Sequence, residues 1–304
     1  MFNLNWKRLG VVAGLSLSLV AAGCGAADSE TEENTDSATD NQATSEEQNE
    51  LELAYVEWDS EVASTNVIGK VLEDLGYDVT LTSLDNAIMW EAVSTGDVDA
   101  MVSAWLPLTH GSQFEQYGDQ MEDLGPNLEG AKIGLVVPEY MDVNSIADLK
   151  DEADQKITGI EPGAGVVAAS ERSLEDYDNL EGWEVQTSSS GAMATALSEA
   201  VESEKEIIVT GWNPHWKFSK FDLKYLEDPE GTFGDAETIN TMVREGFKED
   251  APEAYQVLDN FYWEVEDMEE VMLAIEEGET PEDAAAAWVE ENQDRVAEWT
   301  EGIK

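Results

Sequence analysis

The chain has 304 residues, 42% of them hydrophobic, enough to fill one large or two ordinary domains and to exclude disorder throughout. Its 68 acidic residues against 15 basic ones give a formal net charge of -53, which argues against nucleic acid and anionic lipid headgroups, since both need clustered Lys and Arg, and suits a saline or alkaline exterior whose counterions screen self-repulsion. A lone cysteine excludes an intrachain disulfide and a thiolate zinc centre, two histidines far apart argue against a histidine metal cluster, and no cofactor is expected; with so many carboxylates, close acid pairs arise by chance and none is singled out as a glycosidase pair.

Met1 to Cys24 reads as an export signal: Lys7 and Arg8 supply the positive start, and Val11 to Val20 an apolar run too short to span a bilayer. Ala21-Ala22-Gly23-Cys24 resembles a bacterial lipoprotein box, with Cys24 as the lipidated new N-terminus; Ala21 departs from the Leu usual at the third position before the cysteine. An ordinary secretory signal is the competing reading. The stretch 25–50 holds nine acids, no base and no Ile, Leu, Val, Phe, Trp or Tyr, so it is expected to be a disordered, self-repelling linker.

From Leu51 the chain alternates strand and helix patterns. Leu51 to Trp58 reads as a strand, Glu61 to Leu75 as a helix ended by Gly76, Tyr77 to Leu84 as a strand, Asn86 to Thr95 as a helix that Asp85 could cap, and Asp99 to Ala104 as a strand ending at Trp105. This βαβαβ order predicts a parallel sheet with right-handed crossovers. Ile133 to Val137 reads as a strand leaving that unit. A second set follows: strand Ile157 to Ile160, turn and helix Gly163 to Tyr177, strand Trp183 to Gln186, helix Ala192 to Ser203, strand Glu206 to Val209 and, further on, Leu223 to Leu226. Thereafter only helices are expected, over Ala236 to Lys248, Pro252 to Tyr262, Met268 to Glu277 and Pro281 to Trp299, returning to cover the first sheet. The fold expected is α/β with two lobes, 51–136 with 235–304 and 137–234, a parallel-dominated sheet in each and a ligand cleft between them.

The run Thr210-Gly211-Trp212-Asn213-Pro214-His215-Trp216-Lys217-Phe218 places aromatic side chains just past a strand, where chain reversal alone has no use for them. Aromatic faces attract a cation that has shed its water, above all a quaternary ammonium. Trp58 and Trp105 stand at comparable strand ends and complete a candidate box with Trp212; Trp90, Trp183, Trp263, Trp288 and Trp299 are assigned to cores, and Trp216 to a supporting position. The second functional segment, Thr158 to Ala168, leaves backbone N–H groups free at a helix N-terminus, a ready anion site. Gly163-Ala164-Gly165-Val166-Val167-Ala168 also fits the dinucleotide pattern G-x-G-x-x-A, but an exported protein meets no dinucleotide pool.

A box for a cation and a cradle for an anion describe a zwitterion. Ala54-Tyr55-Val56-Glu57-Trp58-Asp59, Ala104-Trp105-Leu106-Pro107-Leu108-Thr109-His110, Gly159-Ile160-Glu161-Pro162-Gly163-Ala164-Gly165 and Thr210-Gly211-Trp212-Asn213-Pro214-His215-Trp216 together resemble the glycine betaine/proline betaine substrate-binding proteins of ABC importers, the OpuAC type, and the resemblance runs from Leu51 to Trp299. It implies a periplasmic-binding-protein-like fold of type II. It also implies a prism of three tryptophans, here Trp58, Trp105 and Trp212, around the methylated ammonium. The carboxylate would be held by the backbone N–H groups of Gly165 and Val166 and by a histidine resembling His215. His110 matches none of the ligand contacts so implied and is expected to be a loop histidine.

The function expected is capture of glycine betaine or proline betaine and delivery to a membrane permease driven by a cytoplasmic ATPase, with no enzymatic step and with the chain held at the outer membrane face by its lipid. A choline or carnitine receptor of the same fold is the alternative. An extracellular enzyme acting on betaine-like compounds is the competitor of another class, and the sequence carries neither G-x-S-x-G nor a nucleophile with a base for it.

Overall fold

The computed structural model describes residues 49–303. The export signal, Cys24 and the acidic stretch up to residue 48 lie outside the described residues.

Strand β1 (Glu50–Tyr55) leads into α1 (Asp59–Asp74), β2 (Asp78–Ser83), α2 (Asn86–Thr95) and β3 (Ala100–Leu106). Glycines close both helices as their sequence positions require: Gly96 takes φ 77° at the end of α2, and Gly76 takes φ 98° after α1. Asp85 stands at the start of α2, but its side chain makes no capping hydrogen bond. After the short α3 (Gly111–Tyr117) comes β4 (Met121–Pro138), eighteen residues long. The second set comprises β5 (Lys156–Thr158), α4 (Gly165–Asp176), β6 (Glu184–Gln186), α5 (Ser190–Glu202) and β7 (Val209–Asn213). Next come α6 (Lys217–Lys220), β8 (Leu223–Tyr225), β9 (Glu237–Arg244) and α7 (Phe247–Asp250), and last α8 (Pro252–Asn260), α9 (Val265–Glu276), α10 (Pro281–Glu291) and α11 (Gln293–Trp299).

The strands follow the order β2-β1-β3-β9-β4-β7-β5-β6, with β8 on β4. β2-β1-β3 and β6-β5-β7 run parallel, as alternating strand and helix patterns dictate. Every antiparallel pairing is made by β4 or β9. β4 is the physical link between the lobes: residues 121–131 pair with β9, and the next five, Lys132 to Val136, pair with β7.

β9 corrects the expected helix over Ala236 to Lys248. Ile239, Met242, Val243 and Phe247 fall at helical spacing, which is the pattern that misleads. The segment instead fills the gap between β3 and β4, with Ile239 beside Trp105 and Asn240 beside Ala104. Paired on both edges, β9 buries six of its eight residues and shows no alternation. The aromatic run corrects a second boundary, since Trp212 lies inside β7, opposite Ile133 of β4, rather than in a turn beyond it.

The helical tail packs back on the first lobe, α9 and α10 against α1. Trp263, Trp288 and Trp299 are buried there with Phe261, their rings 4.8 to 5.7 Å apart, and Trp90 and Trp183 are likewise buried. Those five tryptophans build cores, which leaves Trp58, Trp105, Trp212 and Trp216 among the described residues.

Candidate functional site

Trp58 immediately precedes α1, Trp105 ends β3 and Trp212 sits near the end of β7, so three separate elements deliver an indole each. All three line one cavity of about 330 Å³ of atom-free space, with Ile133, Ile160 and Ala164 adding apolar surface. The indoles are only 7%, 4% and 5% exposed, so a guest among them would be stripped of water. Trp58 is fixed across the cleft: its Nε1 donates to the Glu161 carboxylate at 2.5 Å.

Opposite the indoles, Gly165 and Val166 open α4 and line the same cavity. Their backbone N–H groups belong to the first turn, where a helix has no internal acceptor and its dipole favours an anion. Gly165 is required by a close approach: a Cβ there would stand 2.3 Å from the carbonyl oxygen of Thr109, on the loop after β3. This backbone contact joins the start of α4 directly to the loop that follows Trp105.

That loop brings His110 into the cavity wall. Backbone and side chain fold back on Trp105 together: the His110 N–H donates to the Trp105 carbonyl at 2.9 Å, and the Trp105 N–H donates to His110 Nδ1 at 3.1 Å. With Nδ1 accepting, the neutral ring carries its proton on Nε2, a buried atom with no hydrogen-bond partner among the described residues. Burial pushes the His110 pKa down to about 4 against a smaller upward pull from the Ser103 backbone, so the ring is an uncharged donor near neutrality. His110 stacks on Trp58 at 5.9 Å and meets Trp90 edge-on at 5.8 Å. The buried carboxylate of Glu237 holds the loop by accepting the N–H of Thr109 at 2.8 Å, the N–H of Leu108 at 2.5 Å and the Thr109 hydroxyl.

His215, expected on the carboxylate, is not brought to the cavity. Its ring lies beside Trp212, 4.6 Å away and nearly edge-on, fully buried. Nδ1 accepts the Lys217 N–H at 3.1 Å, and Nε2 faces Asp59 Oδ2 at 3.4 Å. Asp59, the first residue of α1, also accepts Trp216 Nε1 at 2.7 Å and the Ser190 hydroxyl at 3.1 Å. Burial alone would raise the Asp59 pKa, but the adjacent His215 ring and hydrogen bonds from Trp216 and Ser190 hold it far below the usual carboxylate range. His215 itself is driven down to about 4, by burial first and then by the Lys217 charge, against the pull of Asp59. The result is an ionised Asp59 clasped by a neutral imidazole, an indole N–H and a hydroxyl, one residue from the cavity wall at Trp58.

Sequence reasoning missed His110, Glu237 and Asp59. The one usable signal for His110 was its turn, Leu106-Pro107-Leu108-Thr109, too short to carry the ring far from Trp105. Glu237 was hidden by the mistaken helix, and among so many carboxylates nothing in the sequence distinguishes Asp59. No group of three or more His, Cys, Asp or Glu among the described residues is placed to hold a metal ion.

The family model for the substrate binding domain of ABC-type glycine betaine transport systems, OpuAC, matches residues 49–291. The glycine betaine/carnitine transport binding protein GbuC of Listeria monocytogenes is 50% identical over 158 residues, 52% of this chain and 53% of GbuC, so the chain spans about half the length of that curated relative. Lactococcal OpuAC, in its closed-liganded conformation complexed with glycine betaine, matches with a TM-score of 0.81 at 56% identity, over 83% of this chain and 99% of its own. An ABC-transporter choline binding protein in complex with choline gives a TM-score of 0.78 at 29% identity, over 85% of this chain and 93% of its own.

Proposed function

We propose that this chain, which belongs to the OpuAC family of substrate-binding domains of ABC-type glycine betaine transport systems, captures glycine betaine or proline betaine by enclosing the quaternary ammonium among Trp58, Trp105 and Trp212. The carboxylate end is received by the N–H groups of Gly165 and Val166 and by His110. His110 takes the role first expected of His215, because both rings bury an Nε2 without a hydrogen-bond partner but only His110 lines the cavity, while His215 Nε2 faces Asp59. The single observation that carries this reading is that three indoles, a helix N-terminus and that donor share one small cavity.

The magnitudes require both ends of the ligand. A desolvated cation–aromatic contact contributes about 0.5 to 2 kcal/mol, so three give at most roughly 6, whereas micromolar affinity needs about 8. Charge-assisted hydrogen bonds to a carboxylate, about 1.5 to 3 kcal/mol each, supply the remainder and offset the cost of ordering. A choline-type ligand gains the box and forfeits the cradle. The family is a binding component of transport rather than an enzyme, so the work done is closure: the ligand bridges two lobes and shifts their equilibrium.

Delivery to a membrane permease powered by a cytoplasmic ATPase follows from family membership, and lipidation of Cys24 would keep the loaded receptor at the outer membrane face. Mass spectrometry of the mature protein tests the anchor: a lipid mass on Cys24 supports it, and an unmodified N-terminus before or after Cys24 removes it. Titration calorimetry with glycine betaine, proline betaine, carnitine and choline tests the ligand. Tight binding of the betaines with choline at least tenfold weaker is expected, and a preference for choline would overturn the assignment.

A further inference from the structure

Lys217 opens α6, and its side chain is completely buried. Its ammonium has no hydrogen-bond partner among the described residues; it lies 4.1 Å from the centroid of the Trp212 ring and 5.5 Å from that of Phe218. Of the charged and titratable groups around it, Asp59 reaches in from α1 with its oxygens already engaged by Trp216 and Ser190, His215 stays neutral in the same loop, and Glu269 of α9 stands near the His215 backbone. Lys217 does not line the cavity, whereas Trp212 does. One indole therefore carries a resident cation and also forms a wall for the guest. Burying an unpaired ammonium is unfavourable, and nothing in ligand capture as described above uses it.

We propose that Lys217 is a specificity-determining residue that acts through Trp212, setting the site against ligands of net positive charge and in favour of zwitterions. Two effects act, the first on every quaternary ammonium alike and the second distinguishing the ligands. The quadrupole of a single ring is shared between two cations, which lowers what it offers to either. The ammonium also repels the guest's charged nitrogen through a poorly hydrated medium, where charges couple more strongly than in water. A betaine recovers part of that repulsion through attraction between the ammonium and its carboxylate. Choline has no compensating group. Burial draws the Lys217 pKa down to about 7 while Asp59 opposes it, so the charged form predominates at pH 6.

The inference rests on the betaine reading, and the test separates the two. The full chain is titrated calorimetrically at pH 6 with glycine betaine and with choline, as the parent, as Lys217→Met, which keeps stem length without charge, and as Lys217→Arg, which keeps charge. Lys217→Met is expected to raise choline affinity relative to betaine by about tenfold, the Coulomb effect of a unit charge across an indole at an effective dielectric near 20, while Lys217→Arg retains the parental ratio. A merely structural role would weaken both ligands together, so a ratio unchanged within about twofold overturns the inference. Should Lys217→Met fail to melt cooperatively, Lys217→Gln removes the charge with a polar side chain and is held to the same criterion. A parent that binds neither compound sinks the betaine reading; a parent that binds betaine, with a ratio indifferent to Lys217, sinks only this inference.

Discussion

Replacing His110 tests the site most directly, because the two histidines of the described residues stand in similar sequence surroundings and make opposite predictions. In His110→Ala the ligand carboxylate loses a charge-assisted hydrogen bond, about 1.5 to 3 kcal/mol, and Trp58 loses the ring stacked on it at 5.9 Å, about 0.5 to 1 kcal/mol. The sum, roughly 2 to 4 kcal/mol, raises the Kd for glycine betaine about 30- to 1,000-fold. Choline, having no carboxylate, loses only the second part and weakens about two- to fivefold by the same arithmetic. The Trp105 N–H also loses its acceptor, a cost to folding rather than to ligand choice. His110→Asn offers an oxygen near the position of Nδ1 and should restore stability without restoring betaine affinity. His215→Ala frees Asp59 from one neighbour and removes a ring packed on Trp212, without itself lining the cavity, so betaine and choline should weaken by one common factor. Calorimetry with both ligands on all three variants reads these differences. Equal losses for the two ligands in His110→Ala, or betaine-selective loss in His215→Ala, would refute the assignment.

Three further perturbations probe closure and stability. Gly165→Ala puts a methyl 2.3 Å from the Thr109 carbonyl across the cleft; all ligands should bind at least about tenfold more weakly with an unchanged melting temperature in their absence, and undiminished affinity would show that the lobes need not approach so closely. Asp59→Ala removes the acceptor for Trp216 and Ser190 and the carboxylate that helps keep Lys217 charged; both ligands should lose affinity, betaine more than choline at pH 6, and a ratio equal to the parent's would count against coupling through Lys217. Glu61 is fully buried, its Oε2 accepting the Val56 N–H at 2.7 Å, and burial, helped by Glu161, pushes its pKa up to about 8. A folded carboxyl that keeps its proton to about 8, where an unfolded one releases it near 4.5, contributes its full stability only below about 4.5 and loses about 1.4 kcal/mol per pH unit as pH rises through that window. Glu61→Gln, which keeps the acceptor and never ionises, should melt several degrees higher than the parent at pH 9 and show a flatter pH profile; parallel profiles would contradict the buried, protonated carboxyl.

What the sequence disclosed depended on how far each residue's role is local. Trp58, Trp105 and Trp212 were recognisable because large aromatics at strand ends serve no local purpose, and Gly165-Val166 because small residues between a strand and a helix expose N–H groups whatever surrounds them. The direction of a ring is not local. His110 and His215 each follow a cavity tryptophan within five residues, yet one stacks on Trp58 at the start of α1 and the other turns toward Asp59 from a different lobe. β9 failed for a related reason: its apolar residues satisfy helical spacing, and only the gap between β3 and β4 makes it a strand. With it went Glu237, whose carboxylate positions the loop carrying His110.

The charge of the chain and the character of its cavity belong to one design. A body with a formal net charge of -53 draws small cations to its surface, and a recognition site made of carboxylates would be occupied by whichever hydrated ion is most abundant. Indoles are poor partners for an ion that keeps its water and good ones for a methylated nitrogen that has little to lose. Around this cavity the acidic groups are withdrawn from the wall: Asp59 is clasped by Trp216 and Ser190, Glu161 is spent on Trp58, and Glu237 is turned onto backbone N–H groups. What faces the guest is uncharged, so counterions that screen the surface at high salt, with a Debye length of about 3 Å at 1 M, have no charged wall to screen inside. Affinity for glycine betaine should accordingly change less than about threefold between 0.1 and 2 M KCl, measured by calorimetry at constant pH. A steep decline with salt would mean that an exposed carboxylate, rather than the aromatic box, supplies most of the attraction.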